Sequence, residues 1–127
     1  MSVLQAASDV ELAIPATSAF VRLARLNASA LANDLGFTVD GVEELRIAVD
    51  EACTFLLEPE GPGTVHLRFH IDAGAIELAA ERTGLTSGVS TAGPGELARL
   101  VLRATTDTFD WNADGSCRSL TFRKHCS

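Results

Sequence analysis

The sequence EELRIAVDEACTFLL, residues 43–57, has the spacing of apolar side chains that is typical of an amphipathic helix. One broad face of this helix is apolar and consists of Leu45, Ala48, Val49, Ala52, Cys53 and Leu56. Glu51 lies on the flank of that face, one turn from Phe55, whereas Asp50 lies on the outer stripe. An unpaired carboxylate at the edge of a buried face is costly. We therefore expect Glu51 either to face a pocket or to be solvated or paired with an arginine.

A strand and a long helix precede this segment. Asp9–Ile14 alternates polar and apolar side chains, as a half-buried strand does, and Pro15 ends the strand. Thr17 or Ser18 is placed to cap a helix that continues at helical apolar spacing and stops at Gly36. The first part of the chain is thus predicted to be a strand followed by a helix.

After the central helix, the period of the apolar pattern changes from helical to two. Asp40 is placed to cap that helix, and the breakers EPEGPG at residues 58–63 end it. Alternate residues of Val65–Ile71 are apolar, a turn is predicted at residues 72–74, and a second strand continues the apolar face to Ala80. The pattern therefore predicts a β-hairpin.

The last third of the chain contains another helix and another hairpin. Thr83–Gly95 is rich in Gly, Ser, Thr and Pro and is predicted to be a loop. Glu96–Thr105 follows as a helix, whose apolar face is expected to consist of Leu97, Leu100, Val101 and Ala104. A turn at residues 112–115 between the apolar segments 109–111 and 120–122 indicates a closing hairpin.

The predicted order of elements is β-α-α-β-β-α-β-β. A sheet that is apolar on one face only, with three helices to cover that face, favours a two-layer α/β sandwich. The chain has 127 residues, of which 46% are hydrophobic, and this suits one compact domain spanning residues 1–127.

Composition indicates the cellular compartment and the classes of partner that we expect for this chain. No apolar run approaches the ~20 residues that a membrane span needs, and the start of the chain lacks the basic and apolar regions of an export signal. Cys53, Cys117 and Cys126 form no CxxC pair, which favours reduced thiols in a cytoplasm. A net charge of −7 argues against direct binding of nucleic acid and weakly favours a basic protein partner.

Two histidines, His66 and His70, are the obvious candidates for a metal site. Four residues along a strand span ~13 Å, whereas zinc binds each imidazole at about 2 Å, so this pair cannot share an ion without other help. We expect no metal site and place both histidines on a solvated sheet face. Cys53 is expected to be a small core residue. The sequence has no Ser/His/Asp arrangement, P-loop or GxGxxG motif in the required context.

The order of elements, with LRIAVDEACT at residues 45–54 after a long first helix, resembles the anti-sigma factor serine/threonine kinases. These are the RsbW-like branch of the GHKL (Bergerat-fold, histidine-kinase-like) ATPases, and the resemblance extends from Val10 to Lys124. It implies a second helix with the pattern E-x-x-x-N. In that pattern the Glu is the general base toward water or a serine hydroxyl, and the Asn binds the Mg²⁺ of Mg-ATP. In this chain the Glu is Glu51 and the Asn position is Phe55, whose ring offers Mg²⁺ no oxygen.

The family box DxGxG, whose Asp reads the adenine amino group, is altered in this chain. It corresponds to residues 81–85, which read ERTGL. If Glu81 takes the place of the Asp, a threonine stands where a glycine belongs. If Gly84 is that glycine, Arg82 stands at the Asp. Neither register supplies the box.

The family box GxG, which binds phosphates through backbone N–H groups, is altered as well. It corresponds to Gly93-Pro94-Gly95 or, counted back from Asp107, to residues 96–98. Pro94 would remove an N–H group, and Glu96 would repel a phosphate. The resemblance therefore implies a vestigial base, Glu51, and no cofactor. It also implies a vestigial nucleotide pocket at Phe55, Glu81, Gly84, Gly93 and Gly95.

The resemblance alone implies the partners. It implies an anti-sigma factor that sequesters a bacterial sigma factor and is countered by an anti-anti-sigma protein of the STAS fold. Arg25 and Arg22, on the first helix, are the implied partner-binding residues, or alternatively part of an ordinary solvated helix face. Pairing through the first strand, as in the family, implies a homodimer. Two other functions stay open: an active serine kinase that uses Mg-ATP to phosphorylate its STAS antagonist, and an interaction module for neither partner.

Overall fold

The computed structural model describes residues 8–85 and 90–126. The elements in chain order are β1 (Ser8–Pro15), a 3₁₀ turn (Ser18–Phe20), α1 (Val21–Asp34), α2 (Val39–Leu56), β2 (Thr64–Asp72), β3 (Ala75–Thr83), α3 (Glu96–Thr105), β4 (Thr108–Ala113) and β5 (Arg118–His125).

The five strands form one antiparallel sheet in the order β1-β2-β3-β5-β4. The helices cover one face, where α2 packs between α1 and α3 and also contacts β3 and β5. The core between the two layers includes Leu45, Val49, Leu56, Phe69, Ile71, Leu78, Leu120 and Phe122. The predicted mixed α/β fold, with three helices packed on a five-stranded antiparallel sheet, is thus confirmed. Within the two described ranges, no helix combines the length and the apolar character needed to cross a membrane.

The apolar face predicted for α2 is the buried face of that helix, because each of its six predicted residues is buried. The predicted cap was wrong by two residues. Thr38 is the N-cap residue, and its side-chain oxygen accepts a hydrogen bond from the Gly41 N–H at 3.0 Å, whereas Asp40 lies in the first turn. Threonine and aspartate are both favourable caps, so sequence alone does not choose between them.

The first helix begins later than predicted. Thr17 precedes the 3₁₀ turn but makes no side-chain cap, and α1 itself starts at Val21. The Ser18 N–H instead donates to the carboxylate of Glu60, in the loop after α2. This hydrogen bond joins the start of the first helical segment to the end of α2. Gly36, with φ of 85°, follows α1 as predicted.

The apolar face predicted for α3 is not the buried face of that helix. Leu97 and Leu100 are 74% and 54% exposed, and the buried residues of this helix are Leu102 and Thr105. The helix lies beside α2 and also contacts β4. The more apolar face of α3 therefore points to solvent.

The position of one hairpin turn was predicted correctly from the sequence, and the position of the other was not. The turn between β2 and β3 is the predicted one, and Ala73 and Gly74 both have positive φ values, 51° and 74°. The predicted turn at residues 112–115 was placed too early, because β4 continues to Ala113. There the Asp114 carboxylate accepts hydrogen bonds from the N–H groups of Ser116 and Cys117, and this shapes the turn.

Candidate functional site

Glu51 faces an open cleft between α1, α2 and the loop that follows α2. The cleft is lined by Ser18, Val21, Arg25, Asp50, Glu51, Thr54, Leu57, Glu58 and Glu60. Burial and, second, the neighbouring Asp50 raise the pKa of Glu51. In the described part of the chain, the Glu51 side chain makes no hydrogen bond or ion pair. Its carboxylate is therefore free to accept a proton from a molecule in the cleft.

Arg25 is not the free surface arginine that the sequence suggested. Its guanidinium Nη1 lies 2.7 Å from the Asp50 carboxylate, and its side chain is only 35% exposed. Arg22, one turn earlier, is exposed and has no side-chain partner among the described residues. The two arginines predicted to bind partners thus differ: Arg25 is paired with Asp50 of α2, whereas Arg22 is exposed to solvent and can contact a partner protein.

Phe55 lies inside the protein rather than in this cleft. Its side chain is 4% exposed, and its ring packs edge-on against Trp111 of β4, with the centroids 6.2 Å apart and the planes at 70°. The guanidinium carbon of Arg118 lies 4.2 Å from the centre of the Phe55 ring, which is a cation–π arrangement. Phe55 therefore fills the space between α2 and the sheet beside two other large side chains.

Two buried arginines bind the end of α2. Arg82 of β3 donates hydrogen bonds to the carbonyls of Leu56 (3.1 Å), Pro62 (3.0 Å) and Pro59. Arg82 is 1% exposed. Its burial and, second, the nearby Arg118 lower the pKa of its guanidinium.

Arg118 of β5 makes the corresponding contacts on the other side. It donates to the carbonyls of Phe55 (3.0 Å), Ala92 (2.8 Å) and Glu58, and it is 4% exposed. Burial lowers the pKa of this guanidinium, and the charge of Glu58 partly restores it. Through Ala92, Arg118 also fixes the segment that leads into α3. Arginines at the carboxyl end of a helix satisfy carbonyls that lack partners within the helix.

Arg82 and Glu81, the two residues considered for the Asp of the adenine box, lie on opposite faces of the sheet. Even-numbered residues of β3 face the helices, so the Arg82 side chain points inward, toward the end of α2. Glu81 is exposed and lines a groove on the opposite face of the sheet, so the structure does not bring it together with Arg82. Successive strand residues point to opposite faces, so only one of the two can face the pocket.

Backbone packing explains why position 84 is a glycine. Its φ is +81°, and a Cβ at this position would lie 2.7 Å from the Cα of Gly63. The glycine therefore lets the end of β3 approach the loop after α2, and no ligand is needed to explain it.

The segment before α3 packs on Trp111. A Cβ on Gly93 would lie 2.4 Å from the indole ring, so only glycine fits there. The Pro94 carbonyl accepts a hydrogen bond from Arg99 Nε at 2.8 Å, and the Arg99 guanidinium lies 5.4 Å from the centre of the Trp111 ring. Gly95 precedes the helix, and a Cβ there would meet nothing within 4 Å. Gly93 is thus required by packing against Trp111, whereas no neighbouring atom requires a glycine at position 95.

Sequence reasoning missed the contribution of Arg118 and Trp111. A signal was present, because Arg82 continues the inward series Ile76, Leu78 and Ala80, and Arg118 begins the series that includes Leu120 and Phe122. The alternation of side chains along β3 and β5 therefore predicts that both arginines face the helices. The usual expectation that arginine is exposed concealed this.

The other candidate groups lie away from the cleft. His66 is exposed on the open face of the sheet, and His70 Nδ1 lies 2.7 Å from the Asp9 carboxylate. Cys53 is buried on the apolar face of α2, and its burial, with a further contribution from Asp50, raises the pKa of its thiol to about 12. Across residues 8–85 and 90–126, no three His, Cys, Asp or Glu side chains are grouped so that they could hold a metal ion.

The fold and the site define a class of protein: a two-layer α/β sandwich with an acidic cleft beside its central helix and a filled interior behind that helix. No family profile matches the chain. The chain is similar, however, to proteins named serine-protein kinase RsbW. It is 41% identical to that of Halalkalibacterium halodurans over 78 residues, which are 59% of this chain and 48% of the relative.

Two further relatives bear the same name. The protein of Bacillus velezensis is 35% identical over 79 residues, 59% of this chain and 49% of the relative. That of Bacillus cereus is 31% identical over 85 residues, 65% of this chain and 53% of the relative. The chain thus spans about half the length of the curated relatives it matches. Over this segment the chain is similar to proteins named serine-protein kinase RsbW, in line with the resemblance that its sequence indicated.

Proposed function

We propose that this chain is an anti-sigma regulator that sequesters a bacterial sigma factor in the cytoplasm and is countered by a STAS-domain anti-anti-sigma protein, without binding ATP. The relationship to the RsbW proteins supports the partner set. In this proposal the exchange of partners depends on competition between them, because no nucleotide state is available to drive it.

The observation that carries the proposal is the filled interior around Phe55. The aromatic ring at the Asn position of the family packs against Trp111 and Arg118, and it brings no oxygen ligand for Mg²⁺. Arg82 at the Asp position offers donors only, so it cannot accept the hydrogen bond of an adenine amino group. Gly93 is packed against the indole of Trp111. Each of the three family boxes is thus replaced by groups that bond to the protein itself.

The charge of the cleft also opposes a nucleotide. Asp50, Glu51, Glu58 and Glu60 all line it, and Arg25 is the single positive side chain among the lining residues of the described chain. Arg25 is already paired with Asp50. A polyphosphate without a bound cation would therefore meet repulsion in this cleft.

The surface that we assign to partners is the exposed side of the first helical segment. Arg22 is exposed there, and Phe20, Leu23 and Leu26 are 39%, 40% and 61% exposed. Arginine together with exposed apolar side chains is a combination enriched in protein interfaces. The homodimer that the resemblance implies would form at β1, which lies at one edge of the sheet.

Isothermal titration calorimetry with Mg-ATP and Mg-ADP tests the proposal. We expect no saturable heat of binding, and a dissociation constant below ~100 μM would overturn the claim that the nucleotide site is lost. An RsbW relative that binds ATP serves as the positive control under the same conditions. Parallel titrations with candidate sigma and STAS proteins are expected to show saturable, mutually exclusive binding. Failure to bind either protein class would favour an interaction module with another partner.

One observation favours a second candidate, an active serine kinase that phosphorylates its STAS antagonist. Glu51 keeps a free carboxylate in an open cleft, and the pKa of that carboxylate is raised, mainly by burial and also by Asp50, as suits a general base. The test is transfer of phosphate from labelled Mg-ATP to a STAS protein. Transfer by the wild type that disappears in Glu51→Gln, with the variant still folded, would establish this candidate in place of the first.

A further inference from the structure

A groove of about 650 Å³ lies on the face of the sheet opposite the helices, and residues of β1, β2, β3 and β5 line it. The small side chain of Ala79 lies within this groove. On either side of Ala79, in the same row across the strands, are Arg68 of β2 and Thr121 of β5. Neighbouring strands are ~4.8 Å apart, so the backbones of Arg68 and Thr121 are separated by ~9.6 Å. The space above Ala79 therefore lies between two hydrogen-bond donors, a guanidinium and a hydroxyl.

The next row of the same groove carries a negative charge. Glu81 lies two residues beyond Ala79 on the same face of β3, directly between His66 of β2 and Ser119 of β5. Two residues along a strand span ~6.7 Å, which is the distance between the two rows. The groove thus offers donors in one row and a carboxylate in the next.

The charges of these two rows are unpaired, although other charges on this face are paired. On the row beyond Arg68, two ion pairs form between neighbouring strands, at 2.7 Å and 2.6 Å: His70 with Asp9, and Arg123 with Glu77. Among residues 8–85 and 90–126, neither Arg68 nor Glu81 makes an ion pair or a side-chain hydrogen bond. Glu11 faces Arg68 from β1 but is not within ion-pair distance of it. Arg68 and Glu81 are therefore free to bind a ligand.

We propose that this groove binds a small zwitterion of the amino-acid class, with its carboxylate above Ala79 and its ammonium group at Glu81. Arg68 donates to the ligand carboxylate in the bidentate geometry that guanidinium favours, and the Thr121 hydroxyl donates from the other side. The separation of the two rows suits a ligand whose charged groups lie further apart than those of an α-amino acid. An ω-amino acid such as γ-aminobutyrate has this property.

The charges of the groove favour a zwitterion over an ion of one sign. A simple anion at Arg68 lies close to the carboxylates of Glu11 and Glu81, and a simple cation at Glu81 lies close to the Arg68 guanidinium. A ligand with both charges meets a group of opposite sign at each end. A groove of this volume can hold a small molecule. Because it is open to water, which screens its charges, we expect weak binding, with a dissociation constant of about 1 mM.

This inference does not rest on the proposed function. The groove lies on the face of the sheet turned away from the helices, whereas the surface assigned to protein partners lies on α1. The zwitterion and a protein partner can therefore bind at the same time. The isolated full chain is sufficient for the test.

Titration of the full chain with γ-aminobutyrate, followed by the NMR shifts of its backbone amides, tests this inference. We expect saturable shifts centred on Arg68, Ala79 and Glu81. Butyrate and butylamine are the matched control ligands, because each keeps one of the two charges. Both should bind at least tenfold more weakly than γ-aminobutyrate at the same ionic strength.

Substitutions in the groove test the assigned contacts. Arg68→Gln and Glu81→Gln should each weaken binding of γ-aminobutyrate at least tenfold. Arg22→Gln and Glu96→Gln are the matched controls, since both residues are exposed on the helices, and they should leave binding unchanged. Ala79→Val keeps both charges and suits a strand, but it fills the space for the carboxylate, so it should also weaken binding. Thermal unfolding verifies that each variant is folded.

Several results would overturn the inference. One is the absence of saturable shifts with γ-aminobutyrate, and another is equally tight binding of butyrate or butylamine, which would indicate general ionic association. Unchanged binding in folded Arg68→Gln and Glu81→Gln would place the ligand elsewhere. If Arg68→Gln instead weakened binding of a sigma or STAS protein while γ-aminobutyrate did not bind, the groove would belong to a protein partner and not to a small zwitterion.

Discussion

Arg82 and Arg118 lie directly opposite each other on β3 and β5, and both donate hydrogen bonds to carbonyls at the carboxyl end of α2. Two buried guanidiniums on paired strand positions repel each other. Among the described residues, neither guanidinium has a carboxylate as hydrogen-bond partner. The carbonyls at the end of a helix, with their partial negative charge, offset this repulsion. The arginines thus fix the end of α2, the loop after it and the segment before α3 relative to the sheet.

We expect Arg82→Met to destabilise the fold by at least about 2 kcal/mol, because carbonyls of Leu56, Pro59 and Pro62 would lose their donor while methionine fills most of the space. The free energy of unfolding from urea denaturation measures this. Arg22→Met is the matched control, since Arg22 is exposed, and it should change stability by less than about 0.5 kcal/mol. Equal effects of the two substitutions would contradict the role given to Arg82.

Phe55→Ala should destabilise by roughly 3–5 kcal/mol, because Phe55 is 4% exposed and its removal leaves a cavity beside Trp111 and Arg118. Chemical denaturation measures the change. The exposed Phe20 provides a control, as Phe20→Ala should cost much less. A nearly neutral Phe55→Ala would mean that the ring does not fill the interior.

Restoring the family residue at this position should not restore nucleotide binding. In Phe55→Asn the amide would replace the ring, but Arg82 would still donate to the end of α2, and Gly93 would still pack on Trp111. We expect calorimetry with Mg-ATP to detect no binding by a folded Phe55→Asn variant. Saturable binding would show that one substitution alone had closed the site.

Periodicity was sufficient to predict α2, the hairpins and the two-layer fold, because a change of period from 3.6 to 2 is visible without tertiary contacts. It was not sufficient for α3, where Leu100 points outward and Leu102 inward. The inner side of that helix is set by how it packs beside α2 and over β4, which is a tertiary property. Glu51 and Phe55 could be placed near one another from helical spacing. That they face different surroundings, a cleft and the core, required the structure.

Glu51 should make stability depend on pH in a definite direction. Burial and, second, Asp50 raise its pKa, so the folded chain holds this proton more tightly than the unfolded chain. The contribution of Glu51 therefore favours folding at low pH and is lost as the pH rises through the raised pKa. Glu51→Gln should be more stable than the wild type at neutral pH, by less than about 1 kcal/mol because the site is open to solvent.

The two proteins should converge in stability as the pH falls below the ordinary pKa of a glutamate. Urea denaturation of both across this range gives the difference. Glu11→Gln, at an exposed position of β1, controls for removal of one negative charge from an acidic chain. If Glu51→Gln were the less stable protein at neutral pH, the Glu51 carboxylate would have a favourable partner in the folded chain, and the predicted direction would be wrong.

Arg22 and Arg25 should respond differently to charge reversal, because only Arg25 is tied to Asp50. Arg25→Glu would place a third carboxylate beside Asp50 and Glu51, so it should lower stability as well as partner binding. Arg22→Glu should leave stability unchanged and weaken binding of sigma or STAS partners at least tenfold, or about 1.4 kcal/mol. Arg68→Glu, which makes the same charge change on the opposite face of the protein, is the control and should bind normally. Titration calorimetry measures the affinities, with circular dichroism to verify folding. If Arg22→Glu bound each partner as tightly as the wild type, the partner surface would have to lie elsewhere than on the exposed side of α1.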